Sequence, residues 1–130
     1  MKKINIKPAK TITLAFEDGV KKELKFNAYS MMILDDEFEE GSLKTLAGVV
    51  KKPFANGAKI IYSGMKAIDE NVTLEEAKNI TANLSIEEIM DITNMAADSV
   101  VTEDSKKKLN NMDITQEQTT AMVQLLRELL

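Results

Sequence analysis

The spacing of apolar residues changes once along the chain, near Asn27, and this change constrains the fold more than any other feature. Before it, in residues 11–16 and 20–26, apolar and polar residues alternate, which is typical of strands with one buried face. After it, apolar residues recur every three or four positions, which is typical of amphipathic helices. The pattern predicts an α+β fold that is mainly α, with an N-terminal β-hairpin followed by about five or six helices.

The turn of the predicted hairpin has the tripeptide Glu-Asp-Gly between the two strands. A two-residue Asp-Gly loop would direct the apolar face of the second strand outward. A three-residue loop instead pairs Phe16 with Val20 and Ile12 with Leu24, and keeps all apolar side chains on one face. Gly19 is then expected in the left-handed conformation that such a loop requires.

The helices are predicted from residues that can cap their first turns. Thr73 with Glu76, and Ser85 with Glu88, have the spacing of capping boxes. The other predicted caps are Asn27, Ser42 and Thr115, with Gly41 as the stop of the first helix. A third helix is expected over residues 54–68, with the apolar stripe Phe54, Ala58, Ile61, Met65 and Ile68.

Charge and periodicity divide the chain into four parts. Residues 1–10, with four Lys, are predicted to form a basic N-terminal arm. Residues 11–101 form the hairpin and helical domain. Residues 102–114 are polar and break the periodicity, which indicates a linker. Residues 115–130 are predicted to form a C-terminal amphipathic helix.

The composition argues against most kinds of chemistry and several kinds of partner. The chain has no His and no Cys, so the usual neutral-pH base and the usual zinc and iron–sulfur ligands are missing. We expect no catalytic residue, no metal and no cofactor. The net charge of −4 and the single Arg argue against a nucleic-acid partner, since contacts to phosphate groups need clustered cations. No apolar run approaches the roughly 18 residues of a membrane span.

The densest charge cluster is the acidic run at residues 35–40. We take Asp35, Asp36, Glu39 and Glu40 as candidate contacts for a basic partner. The run does not fit a calcium loop, because the sixth position, which must be Gly, is Glu40. A solvated helix end is the alternative interpretation, since exposed charge runs are common.

The predicted C-terminal helix is the second candidate contact surface. Its apolar stripe consists of Met122, Leu125, Leu126 and Leu129. Such a stripe needs a groove to cover it. It either docks on its own domain or binds a second copy or another protein.

Small residues and methionines carry weaker signals. Gly57 and Gly64 interrupt the third helix at a cost of about 1 kcal/mol each relative to Ala, which indicates a close approach, usually by another helix of the same domain.

Met31, Met32, Met65 and Met90 lie on apolar stripes and are expected in the core.

The middle of the chain resembles the tail assembly chaperones of long-tailed bacteriophages. The similarity lies in residues 58–66 (AKIIYSGMK), 69–70 (DE), 73–77 (TLEEA) and 85–90 (SIEEIM), within a region of about residues 11–101. The family pattern falls on Ile60, Ile61, Tyr62, Gly64, Met65, Asp69, Thr73, Glu75 and Glu76.

The resemblance implies a non-catalytic assembly factor in the host bacterial cytoplasm. Such a protein binds the long, hydrophobic, helical tape measure protein and associates with itself, and the tail tube protein is a second candidate partner. It is not expected in the mature virion. Two alternatives remain: a structural minor tail or head-completion protein of a phage particle, and a small regulatory adaptor protein.

Overall fold

The computed structural model describes residues 2–4 and 8–100. In this part of the chain an antiparallel hairpin precedes five helices, which confirms the predicted α+β, mainly α fold. The elements are β1 (Lys10–Ala15), β2 (Lys21–Phe26), α1 (Ala28–Glu37), α2 (Gly41–Gly48), α3 (Pro53–Lys66), α4 (Leu74–Thr81) and α5 (Ile86–Asp98). Most of the predicted arm is described, but the linker at 102–114 and the helix at 115–130 lie outside the described residues.

The hairpin has the predicted register. Ile12 is the partner of Leu24, and the Phe16 N–H donates to the Val20 carbonyl at 2.9 Å. Gly19 has a φ of +89°, so the three-residue loop and its left-handed glycine are both confirmed. Leu24 is fully buried, which places the apolar face of β2 against the helices.

The predicted cap Asn27 and the predicted capping box at Ser85 are both confirmed, and Asn27 also forms a capping box that was not predicted. At α1 the Asn27 side chain accepts from the Ser30 N–H at 3.2 Å, and Ser30 Oγ accepts from the Asn27 N–H at 3.0 Å. At α5, Ser85 and Glu88 exchange the same pair of hydrogen bonds. At α4, Thr73 Oγ1 accepts from the Glu76 N–H at 3.2 Å, which is one half of the predicted box.

The junction between α1 and α2 differs from the prediction. Ser42 is not the N-cap of α2, because the helix already begins at Gly41. The Ser42 N–H instead donates to the carboxylate of Asp35, 2.6 Å away on the preceding helix. Gly41 has a φ of +79° and opens α2, whereas α1 ends earlier, at Glu37.

Helix α3 lies at the centre of the fold and contacts β2, α1, α2, α4 and α5. Ile60, Ile61 and Ser63 have no solvent exposure. The predicted stripe on this helix is right in the middle but wrong at its ends, since Phe54 and Ile68 are 48% and 47% exposed. The neighbouring helices cover only the central turns of α3.

The two helix glycines are sites of close intramolecular contact, as predicted. A Cβ atom on Gly57 would lie 2.7 Å from Cγ2 of Ile89 on α5. Gly64 faces a strand, because its neighbours are side chains of β2.

Among the methionines, Met31 and Met65 are buried, but the expectation for Met32 is wrong, since it is 55% exposed.

Candidate partner-binding surfaces

The acidic run of residues 35–40 is partly used within the fold. The Asp35 carboxylate accepts the Ser42 N–H at the first turn of α2. Negative charge at a helix N-terminus interacts favourably with the unpaired N–H groups and the helix dipole. Asp35 therefore has a structural role that its position in a charge run did not indicate.

Glu37 joins α1 to α3 through two hydrogen bonds. Its carboxylate accepts from the Tyr62 hydroxyl at 2.5 Å and from Lys66 Nζ at 2.7 Å. Lys66 Nζ also donates to the Tyr62 hydroxyl oxygen at 3.0 Å. This three-residue network was not predicted. Only the spacing of Tyr62 and Lys66, four apart on one helix face, could have suggested it.

The network changes the acidity of each member. Partial burial alone would raise the pKa of Glu37, but the hydrogen bonds from Lys66 and Tyr62 outweigh it and the pKa is lowered. Burial, and then the hydrogen bond to Glu37, raise the pKa of Tyr62. The bond to Glu37 raises the pKa of Lys66, so this amine stays protonated at neutral pH.

Glu40 makes a second contact between the acidic run and α3. Its carboxylate lies 3.1 Å from Lys59 Nζ, and the hydrogen bond from Lys59 lowers the pKa of Glu40. The same ammonium lies 5.2 Å from the centroid of the Phe38 ring. Phe38 in turn packs edge-on against Tyr62, with ring centroids 5.9 Å apart.

The four predicted acidic contacts are therefore not equivalent. Asp35 and Glu40 are engaged within the fold. Asp36 and Glu39 are exposed, and the side chain of neither residue makes a hydrogen bond or ion pair with another described residue. Of this run, Asp36 and Glu39 are the carboxylates that a basic partner could pair with directly.

An apolar concavity lies between α3 and α4, and we call it the α3–α4 groove. It has a volume of about 330 Å³. Phe54 forms one side and is half exposed. The groove is lined by Phe54, Ala55, Ala58, Lys78, Thr81 and Ala82. Phe54 and Ala58 both belong to the predicted apolar stripe of the third helix, but only Ala58 is buried.

Other apolar side chains are exposed on α1. Tyr29 and Met32 are 52% and 55% exposed, and their spacing places them on one helix face. A second concavity of about 240 Å³, beside β2 and α3, is lined largely by charged side chains such as Lys21, Lys22 and Glu76.

The stripe of Met122, Leu125, Leu126 and Leu129 lies outside the described residues and stays a prediction. Within residues 2–4 and 8–100, no three acidic side chains converge as a metal site would require. No helix in that part of the chain is both long and apolar enough to cross a membrane.

Comparison with known proteins found no family model, no curated protein and no solved structure that matches this chain. Two surface features of the described residues are available to contact a partner. One is the α3–α4 groove, and the other is the exposed pair Asp36 and Glu39.

Proposed function

We propose that this protein is a non-catalytic phage tail assembly chaperone that binds the tape measure protein in the host cytoplasm and promotes tail tube assembly. The observation that carries the proposal is the α3–α4 groove, an apolar concavity on a domain whose sequence resembles this family. Tape measure proteins of such phages are long, hydrophobic and helical. Their apolar side chains are the ligands that this groove fits best.

The lining of the groove supports helix recognition. Ala55 and Ala58 leave space between two helices, while Phe54 provides an exposed aromatic wall. An amphipathic helix that lies in such a groove inserts side chains spaced three or four residues apart. Fully burying a Phe side chain is worth about 1.5–3 kcal/mol, so covering the exposed half of Phe54 contributes about 1 kcal/mol.

The charge of the helical domain supports the same role. Residues 27–100 contain 13 Asp and Glu against six Lys, a net charge of −7. A strongly charged domain that coats an apolar chain keeps the complex soluble by mutual repulsion. Asp36 and Glu39 could pair with basic residues that border the apolar stretches of a partner.

The residues that carry the family resemblance contribute to the fold more than to the contact surface. Ile60, Ile61, Tyr62, Gly64 and Met65 are all buried on α3. Thr73 caps α4, with Glu75 and Glu76 in its first turn. The resemblance thus supports a shared scaffold, and the groove supports the proposed use of that scaffold.

The direct test is co-purification of the full chain with the tape measure protein of the same genome. Phe54→Glu places a charge in the groove near the N-terminus of α3, where negative charge is tolerated. We expect it to lower capture at least tenfold. Tyr29→Glu, at an equally exposed aromatic on α1, is the matched control and should bind as the wild type does. Circular dichroism of both variants checks that the fold is retained.

Three outcomes would contradict the proposal. If Phe54→Glu and Tyr29→Glu capture the tape measure protein equally well, the groove is not the binding surface. If the protein is found at stoichiometric levels in purified virions by mass spectrometry, it is a structural component of the particle. A protein that binds no tape measure and is missing from virions fits the regulatory adaptor alternative.

A further inference from the structure

The two edges of the hairpin differ in what they present to solvent. Phe16 and Val20 are a hydrogen-bonded pair, because the Phe16 N–H donates to the Val20 carbonyl. Along an antiparallel ladder, hydrogen-bonded pairs alternate with non-hydrogen-bonded pairs. With the observed register, every second residue of each strand therefore directs its N–H and C=O away from the other strand. These residues are Thr11, Thr13 and Ala15 on β1, and Lys21, Glu23 and Lys25 on β2.

Only one of the two edges has the protection usual in natural sheets. Charged side chains along an edge discourage pairing with another chain. All three outward residues of β2 are charged, while Thr11, Thr13 and Ala15 on β1 are uncharged and exposed. Thr is also favoured in strands. Within the described residues, β1 contacts mainly β2, whereas β2 also packs on α1 and α3.

We propose that the open edge of β1 pairs antiparallel with β1 of a second copy of this chain, which joins two hairpins into one four-stranded sheet. A two-fold axis between identical strands lets the outward N–H and C=O groups of each copy satisfy those of the other. Ile12 and Leu14, which are half-buried, would then extend one apolar face across both hairpins.

The charges at the two ends of β1 favour a second copy over an unrelated strand. Lys10 begins the strand, and the acidic residues Glu17 and Asp18 follow its other end. In an antiparallel pair, the basic end of each strand approaches the acidic turn of the other. The same pairing in parallel would place like charges side by side, which is unfavourable.

The expected association is weak and does not depend on the chaperone proposal. A six-residue strand covers less surface than the roughly 1,200–2,000 Å² of a stable interface. We therefore expect a dissociation constant on the order of 100 μM, or about −5.5 kcal/mol. The inference depends on the geometry of the hairpin alone, and its test uses this protein without any tape measure protein.

Disulfide crosslinking is a direct test, because the chain has no Cys. Single Cys variants on the open edge of β1 should give disulfide-linked dimers under mild oxidation. Each variant is oxidised alone and in mixtures of two variants, and the positions that crosslink report the register between the two β1 strands. Matched variants on the charged edge of β2 should stay monomeric. The two sets are Thr11→Cys, Thr13→Cys and Ala15→Cys against Lys21→Cys, Glu23→Cys and Lys25→Cys.

A charge exchange tests the orientation independently. Lys10→Glu and Glu17→Lys should each weaken self-association severalfold in sedimentation experiments at low salt, and the double variant should restore it. Equal crosslinking of the β1 and β2 sets, or the lack of any dimer, would overturn the proposal. Crosslinking without charge rescue would contradict the antiparallel arrangement. Crosslinking of β1 variants to a different protein in cell extract, and not to each other, would assign the edge to another partner.

Discussion

Gly64 lies so close to the ring of Phe26 that a Cβ atom at residue 64 would be 2.8 Å from Cε1 of the ring and 3.1 Å from Cβ of Leu24. Phe26 and Leu24 are both fully buried, so neither side chain has free space to move into. The lack of a side chain at Gly64 is what lets β2 pack directly on α3. This contact joins the hairpin to the helical part of the domain.

Gly64→Ala should therefore destabilise the protein. An added methyl in a filled core typically costs about 1–3 kcal/mol, although Ala gains up to about 1 kcal/mol over Gly as a helix former. We expect a net loss of about 1–2 kcal/mol in urea denaturation. Gly48→Ala is the control, because its new Cβ meets only the end of the Asn56 side chain, which can rotate away. An unchanged Gly64→Ala midpoint would show that the hairpin can shift without cost.

The contact between α3 and α5 makes a double-variant test possible. Gly57→Ala should be destabilising because the new Cβ would lie 2.7 Å from Cγ2 of Ile89. Ile89→Leu removes that methyl while it keeps the side-chain volume, so the double variant should lose less stability than the two single variants combined. We expect a coupling of about 0.5–2 kcal/mol from thermal or urea unfolding. Strictly additive losses would show that the clash is relieved elsewhere.

Two neighbouring aspartates should respond differently to substitution. Asp35→Ala removes the acceptor of the Ser42 N–H, and loss of a helix cap typically costs about 1 kcal/mol. Asp36→Ala also removes one negative charge from α1. Because Asp36 is exposed, this substitution should change the free energy of unfolding by less than about 0.5 kcal/mol. If chemical denaturation gives both variants the same stability, the effect of Asp35 is one of charge and not of capping.

Glu37 should make the stability of the protein depend on acid pH. Its pKa in the folded protein is lowered from 4.5, so the unfolded chain takes up the proton first as pH falls. The stabilisation from Glu37 is complete above about pH 4.5 and is lost as pH falls through the lower folded pKa. Glu37→Gln should be less stable than the wild type at pH 7, and this gap should narrow below pH 4.5 in unfolding experiments. A gap that stays constant from pH 7 to pH 3 would argue against the ion pair.

Local features of the fold could be predicted from the sequence. The hairpin register followed from alternation and the single glycine in its turn, because a one-residue slip would have exposed Leu24 and Phe26. The starts of α1 and α5 followed from Asn27 and Ser85, whose capping partners lie three residues away. In each case the contacts that decide the structure are close in sequence.

The pairing of specific residues that are distant in sequence was not predicted. Asp35 and Ser42 lie on different helices, and Glu37 meets Tyr62 and Lys66 only after α1 packs on α3. Phe54 lies on the predicted apolar stripe of the third helix, but it is 48% exposed and lines the α3–α4 groove. The spacing of apolar residues does not report which part of a stripe the neighbouring elements cover.

The central position of α3 has a consequence for how the molecule opens. Because β2 and each of the other four helices of the described residues contact α3, the detachment of any one of these elements leaves most of this helix covered by the others. The amide hydrogens of Ile60 and Ile61 should therefore exchange with deuterium only when the whole domain unfolds. Amides of β1 can exchange through fraying of the hairpin alone. A partner could thus separate or extend the β1 edge while the helical scaffold remains closed.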